Sequence, residues 1–345
     1  MRAKMQSKKI NIGFIFLISL CLIVGIFLSL SLGSRDSSFQ ELLSAFNIHY
    51  KADDFGVSVI RKRIPRTIFA ILAGSSLAVS GALMQTISRN PIADPSILGI
   101  NTGASLAVVV GLCFFGISSS IAYISSAIVG GFLAFGLVYA IASSGKSALT
   151  PVKLALSGTA TSLALSSLVS FLLLPNNNIM DQFRFWQVGS LGPATMKSIL
   201  ILLPFIAIGH LIAFAISPSL NAISLGDELA KSLGTRVGLC RFLGSLASVI
   251  LCASCTAIGG PIAFVGLIVP HFVRILFGSN LSFTIPISAI SGSMLLLYCD
   301  ILARIIARPS EIEVGIITAI IGGPILIYIC LKKKGGFGGK SSSGN

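Results

Sequence analysis

Cys252-Ala-Ser-Cys255 has the spacing of a redox dithiol, and Ala140-Ile-Ala-Ser-Ser-Gly-Lys-Ser147 fits a relaxed phosphate-binding loop with Ala at the first glycine position. A reactive thiolate needs cationic neighbours. The Cys pair lies in an apolar run that offers none, so its spacing reads as packing of small side chains. Cys21, Cys113, Cys240, Cys299 and Cys330 also fall in or beside apolar runs, which is not the pattern of a disulfide framework. A working phosphate loop follows a buried strand and opens a helix, so that backbone N–H groups converge on the phosphates. Here the segment closes one apolar run and leads into the next, and the match reads as accidental. His49, His210 and His271 are too widely separated for ligand spacing, and no Ser/His/Asp arrangement or metal-ligand set can be assembled. The chain is therefore not expected to be an enzyme or to bind a metal or cofactor of its own. Arg61, Lys62, Arg63 and Arg66 offer a different chemistry, because the fixed fork of a guanidinium can grip a carboxylate at two points.

What positions these residues is a membrane. The chain is 54% hydrophobic and only 10% charged, which excludes a water-soluble protein of 345 residues. Apolar runs of about the ~20 residues needed to cross a bilayer recur at 10 to 32, 65 to 87, 97 to 115, 119 to 143, 150 to 174, 196 to 216, 241 to 260, 261 to 278, 281 to 303 and 313 to 331. The first is too long for a signal-peptide core and is followed by no convincing cleavage site in Gly33 to Asp36, so it counts as a span. The expected fold class is an all-α membrane protein with about ten transmembrane helices in a single domain. An even number of spans places both termini on one side. Lys8, Lys9, Lys332, Lys333 and Lys334 make that side cytoplasmic, and Arg89, Lys146, Lys153, Lys231, Arg236, Arg241 and Arg274 then also lie inside. The basic cluster from Arg61 to Arg66 breaks the rule by falling outside, which invites a functional reading. A net charge of +14 raises the question of nucleic acid, but the charges sit on short loops rather than on one face with stacking aromatics, so no nucleic-acid partner is expected. Residues 335–345 read as a disordered tail.

Broken helices in a membrane protein are tolerated where they line a cavity or are covered by protein. Two breaks stand out: Arg89-Asn90-Pro91-Ile92-Ala93-Asp94-Pro95, and Gly259-Gly260-Pro261-Ile262-Ala263 leading to Pro270-His271. Asn90-Pro-Ile-Ala93 and Gly260-Pro-Ile-Ala263 resemble each other, and at the same offset Arg66 matches Arg236 and Gly74-Ser75 matches Gly244-Ser245. An odd number of spans separates the two units, so the weak repeat they suggest would be inverted in the membrane. Small residues such as Gly74, Ala78 and Gly81 also permit close helix packing, the plainer reading of many of these glycines.

Arg63-Ile-Pro-Arg66, Gly74 to Gln85, Arg89-Asn-Pro-Ile-Ala-Asp-Pro95, Leu98-Gly99 and Gly260-Pro-Ile-Ala-Phe-Val-Gly-Leu-Ile-Val-Pro-His271 together resemble the FecCD-type permease family, the membrane subunits of iron-siderophore, haem and cobalamin ABC importers. The similarity continues through Trp186-Gln-Val-Gly-Ser-Leu191, Leu225-Gly-Asp-Glu-Leu-Ala230 with Leu233-Gly234, and Pro309-Ser-Glu311, so it covers nearly the whole chain. It implies a type II ABC importer permease fold, working in a bacterial inner or plasma membrane as a dimer with a second copy or a paralogous permease. Two ATPase subunits would sit inside, carrying the ATP and Mg, and a substrate-binding protein outside. Arg63, Arg66 and Arg304 are then the positions expected to dock the binding protein, although an interfacial arginine can also simply snorkel to headgroups. The segment 217–241 becomes the coupling element, with Leu225, Gly226, Asp227, Glu228, Leu229, Ala230, Leu233 and Gly234 meeting the ATPase. Acidic residues at its start and Gly at its end are helix boundary signals, which an interfacial amphipathic helix would share.

Thr150, Pro151 and Val152 occupy the family's cytoplasmic gate position, or form a plain interhelical turn; the sequence departs from the family by a small insertion around Lys146. Asp300 falls near the end of a span and can pair with Arg304 four residues on. A pore of Ser, Thr, Gly and aliphatic residues suits a bulky chelate and not a bare metal ion, which needs rings of carboxylate or imidazole ligands. An ion-gradient-driven secondary transporter is the alternative, but it would be expected to carry carboxylates at mid-span, whereas Asp94 and Asp300 fall near breaks or ends. An intramembrane protease would need a paired-Asp, Ser/His or zinc constellation.

Overall fold

The computed structural model describes residues 12–33, 55–144 and 149–334, and among them all regular structure is helical. In chain order the elements are α1 (Ile12–Ser31), α2 (Phe55–Ile87), a 3-10 turn (Pro95–Leu98), α3 (Ile100–Phe115), α4 (Ser120–Ser143), α5 (Pro151–Leu173), α6 (Asn177–Val188), α7 (Met196–Ser224), α8 (Asp227–Ser232), α9 (Val237–Gly259), α10 (Val265–Phe277), α11 (Leu281–Ile306) and α12 (Val314–Lys334). Lys8, Lys9, His49, Lys146 and the 335–345 tail lie outside the described residues.

Helices α2, α4, α5, α7, α9 and α11 are each long and apolar enough to cross a membrane, and α1, α3, α10 and α12 contribute shorter apolar stretches. α10, with 13 residues, rises only ~20 Å against a hydrocarbon core of ~30 Å, so the run read as a span from 261 to 278 is an irregular segment followed by a half-length helix. The cause is Gly260-Pro261: proline offers no N–H, and Gly260 sits at φ 69°. In the other direction, α2 and α7 outrun their apolar stretches. α2 begins ten residues before Pro65, and its 33 residues span ~50 Å, so the basic cluster from Arg61 to Arg66 is helical. α7 continues past Ser217 and Pro218 to Ser224, residues that charge and proline assign to the following loop. The extension is held by Asn221, whose Nδ2 donates to Asn280 Oδ1 (2.9 Å) and whose Oδ1 accepts from the Leu281 backbone N–H (2.8 Å). α6 escapes sequence reading altogether, because a short two-faced helix rich in Asn, Gln, Asp and Arg has no apolar run to mark it.

α2 and α9 form the interior: 78% and 83% of their most apolar windows are buried, against 28% for α5 and 33% for α7. The central helix α2 packs on α11, α9, α10 and α7. It does so at backbone distance, for a Cβ on Gly74 would strike the Gly292 carbonyl of α11 and one on Gly81 the Gly266 carbonyl of α10. With no water to drive association in lipid, such close approach maximises dispersion between helices. A serine pair links α2 to α9, Ser80 Oγ lying 2.6 Å from Ser248 Oγ.

α2 and α9 run antiparallel. Arg89 just past the end of α2 and Arg241 near the start of α9 share one carboxylate, and Phe69, midway along α2, packs beside Gly259 at the end of α9. Each is a long buried helix followed by a break and a shorter helix, and the two breaks fall at opposite ends of the bundle. That is the geometry an inverted repeat requires.

Candidate functional site

Functional side chains gather at the two ends of the bundle and along one face between them. At the first end, α8 is a six-residue helix flanked by Gly226 (φ 130°) and Gly234 (φ 79°), conformations that other residues rarely adopt. Leu229 within α8, and Leu225 and Leu233 on either side of it, are 49%, 62% and 63% exposed, whereas Ala230 is fully buried. These three leucines place exposed apolar area together at this end of the bundle. Asp227 lies behind it and accepts from Arg89 and from Arg241 Nη2 (2.9 Å), while Glu228 shares its acidic first turn. The same end carries Thr150, Pro151 and Val152. Thr150 Oγ1 caps α5 by accepting from the Lys153 backbone N–H, Pro151 opens the helix, and Val152 is 76% exposed.

At the opposite end, Arg63, Arg66, Asp300, Arg304 and Glu311 form one network. Asp300 is fully buried; its Oδ1 accepts from Arg66 Nε (2.9 Å), and its Oδ2 lies 3.0 Å from Arg304 Nη2 but off the hydrogen-bond direction. Arg66 also pairs with the exposed Glu311. The other two arginines turn inward. Arg63 Nη1 donates to the Leu30 and Ser31 carbonyls (3.0 and 3.1 Å), and Arg304 Nη1 to those of Ser29 and Leu32 (2.9 and 3.2 Å). These are among the carbonyls a helix C-terminus leaves unsatisfied, so Arg63 and Arg304 cap α1 from outside it. Both are buried, and neither guanidinium is available to an outside partner in this conformation. The carbonyls at the α1 terminus need donors, and these two guanidinium groups supply them. Arg66 alone of the three reaches towards the surface. Arg304 and Asp300 do pair at i, i+4, as their spacing suggested.

The helix breaks hold specific backbone approaches. Asp94 caps the 3-10 turn by accepting from the Ser96 backbone N–H (2.9 Å), which opposes the upward push of burial on its carboxyl pKa; Pro95 opens that turn, and Asn90 caps the preceding loop through Ile92. Pro91 sits between them, half-buried. At the second break a Cβ on Gly260 would strike the Trp186 carbonyl, and Pro261 sets its own carbonyl against Gly189. Ser190 N–H donates to Gly259 O (2.7 Å) and Gly315 N–H to Gly189 O (3.0 Å), so the end of α6 is clasped between this break and α12. Pro270 is buried inside α10.

Between the ends, Thr159, Ser162, Ser166 and Ser170 share one face of α5 at three- and four-residue spacing. The Thr159 and Ser170 hydroxyls donate back to the Ala155 and Ser166 carbonyls, leaving only weak acceptor capacity outward. Beside this stripe a recess of about 180 Å³ is lined by Thr102, Ser105, Ser166, Ser170 and Gln187 together with the apolar Val169, Leu173 and Phe183. No group of three or more His, Cys, Asp or Glu residues able to hold a metal is found among the described residues. Two features escaped sequence reading, the Arg66–Asp300 contact between α2 and α11 and the sharing of Asp227 by Arg89 and Arg241. The only hint of either was an acid lying near the end of an apolar run.

The profile of the FecCD transport family matches residues 21–332. The ferric enterobactin transport system permease protein FepD of Escherichia coli is 40% identical over 92% of this chain and 94% of its own length. The Fe(3+)-citrate import system permease protein YfmD of Bacillus subtilis is 41% identical, with the same shares covered. A solved structure described as an inward-facing conformation of a metal-chelate type ABC transporter superposes with a TM-score of 0.81 at 29% identity, covering 93% of this chain and 99% of that one.

Proposed function

The chain belongs to the FecCD transport family, and from that premise we propose that it is the transmembrane permease subunit of an ABC importer, translocating an iron-siderophore complex or a related chelate. It works in a bacterial cell membrane, with both termini cytoplasmic, as one half of a permease dimer. The ten apolar helices cross or enter the bilayer. ATP and Mg are bound and hydrolysed on two partner subunits, and this chain contributes only the difference in packing between its conformations.

The observation that carries the reading is the exposed leucine row of α8, which presents apolar area at the same end as the gate candidates Thr150, Pro151 and Val152. A coupling segment must be covered by a partner yet remain attached to the pore, and here exposed Leu225, Leu229 and Leu233 accompany a buried Ala230. The binding protein would meet the other end, where Lys62, Arg66, Arg308 and Glu311 reach the surface above the arginines that hold α1. The hydroxyl-lined face of α5 is the passage. Two of its donors, on Thr159 and Ser170, are turned back on their own helix, which favours guiding a bulky chelate over holding it.

Co-purification from native membrane in mild detergent, with mass-spectrometric identification of partners, tests this directly. Recovery of an ATPase, with hydrolysis stimulated by chelate-loaded binding protein, is the expected result, and a second permease in the preparation would distinguish heterodimer from homodimer. A chain that is reproducibly alone while the membranes still transport, with uptake collapsed by uncouplers, rejects the reading.

A further inference from the structure

Arg241 joins the coupling helix to the gate loop. Its side chain is 4% exposed and its two arms part: Nη2 donates to Asp227 Oδ1 at the start of α8 (2.9 Å), and Nη1 to the carbonyl of Leu149 (3.2 Å), the residue immediately before Thr150. Asp227 is held from the other side by Arg89, whose Nη2 also donates to the Ile223 carbonyl (2.7 Å) at the end of α7. One carboxylate oxygen thus ties together the ends of α2 and α7, the start of α9 and, through Arg241, the entrance to α5.

From this arrangement we infer that Asp227 and Arg241 are positioning residues that transmit movement of the coupling helix to the cytoplasmic gate; the inference rests on the importer reading above. α8 is otherwise lightly tethered. It is flanked by glycines at positive φ with open space around them, and Leu225, Leu229 and Leu233 are exposed. A force applied to those leucines therefore reaches the bundle through Ala230 and through Asp227. A buried guanidinium cannot be abandoned cheaply by its carboxylate. When Asp227 shifts, Arg241 must follow or find another acceptor, and either response changes its hold on Leu149. Arg241 Nε is buried without a hydrogen-bond partner, so the guanidinium has a donor in reserve for an acceptor brought up in a second state. Mere anchoring of α8 would need only the ion pair. The second arm, ending on the backbone of the gate loop, is what makes the contact a link.

The test is the complete complex, permease with its ATPase and binding protein, in proteoliposomes, with ATP hydrolysis and uptake of ferric citrate or ferric enterobactin measured together. In Arg241→Gln, hydrolysis is expected to stay within about twofold of wild type while chelate transported per ATP falls at least tenfold. Should that variant fail to assemble, Arg241→Lys keeps a charge beside Asp227 but has no second arm for Leu149, and chelate per ATP is expected to fall at least threefold. Unchanged chelate per ATP in the assembled variant, or a parallel fall of hydrolysis and uptake, overturns the link and leaves Arg241 a structural contact. If wild-type complexes themselves show no hydrolysis stimulated by loaded binding protein, the importer reading fails, not this inference alone.

Discussion

Replacing Asp300 with Asn keeps the shape of the side chain and removes the buried charge that lies against both Arg66 and Arg304. Asp300 is 0% exposed, Arg304 2% and Arg66 12%, so solvent screens little of the loss. Breaking a buried ion pair by removing one partner costs ~3–5 kcal/mol. Arg66 retains Glu311, and Arg304 retains the Ser29 and Leu32 carbonyls and the Ser29 hydroxyl, so the lower end applies, about 3 kcal/mol or ~100-fold in the folding equilibrium. Glu311→Gln is the internal control. It removes the same type of charge from the same network, but at a side chain 39% exposed, and should cost ~0–1 kcal/mol. Both variants can be unfolded in mixed micelles of rising SDS fraction, with Trp186, the single tryptophan, as the fluorescent probe. A cost for Asp300→Asn that is under 1 kcal/mol, or no greater than that of Glu311→Gln, would refute the view that these arginines are structural and return Arg304 to consideration as a docking group.

Leu229→Asp places a charge in the exposed leucine row; permease stability should be unchanged in the same assay, while recovery of the ATPase on co-purification falls at least tenfold. Gly81→Val drives a branched side chain into the Gly266 backbone, which cannot yield as a flexible side chain would, and should destabilise by at least the ~1–3 kcal/mol of an overpacked core, read as loss of monodisperse protein on size exclusion. Ser166→Arg adds bulk and charge to the hydroxyl-lined face of α5 and should abolish uptake in membrane vesicles while ATPase subunits still co-purify. If that variant transports normally, the passage lies elsewhere.

The membrane class, the apolar helices, both helix breaks and the short helix after α7 were all legible in the sequence, because each depends on local composition. A hydrocarbon solvent demands long apolar runs, Gly-Pro interrupts any helix, and an acid-rich start with a glycine end marks a short helix wherever it occurs. Helix lengths were less legible. α7 runs on through Pro218 because Asn221 is pinned by Asn280 and Leu281, sixty residues away in sequence, and α6 exists because glycines at positions 260 and 315 leave room for its terminal carbonyls.

What the tertiary structure alone decided is where each charge is spent. The arginines at positions 63, 66 and 304 look alike in sequence, as basic residues at one end of the bundle. Two are consumed in capping the unsatisfied carbonyls of α1 and one by Asp300 and Glu311, because a buried donor left unpaired in a low-dielectric interior is costly and the nearest acceptors are set by helix packing. Asp227 is likewise an ordinary helix-start acid until α2 and α9 bring Arg89 and Arg241 to it. Apolar periodicity and chain breaks are written residue by residue and survive without the fold; the pairing of distant charges is a property of how the helices meet.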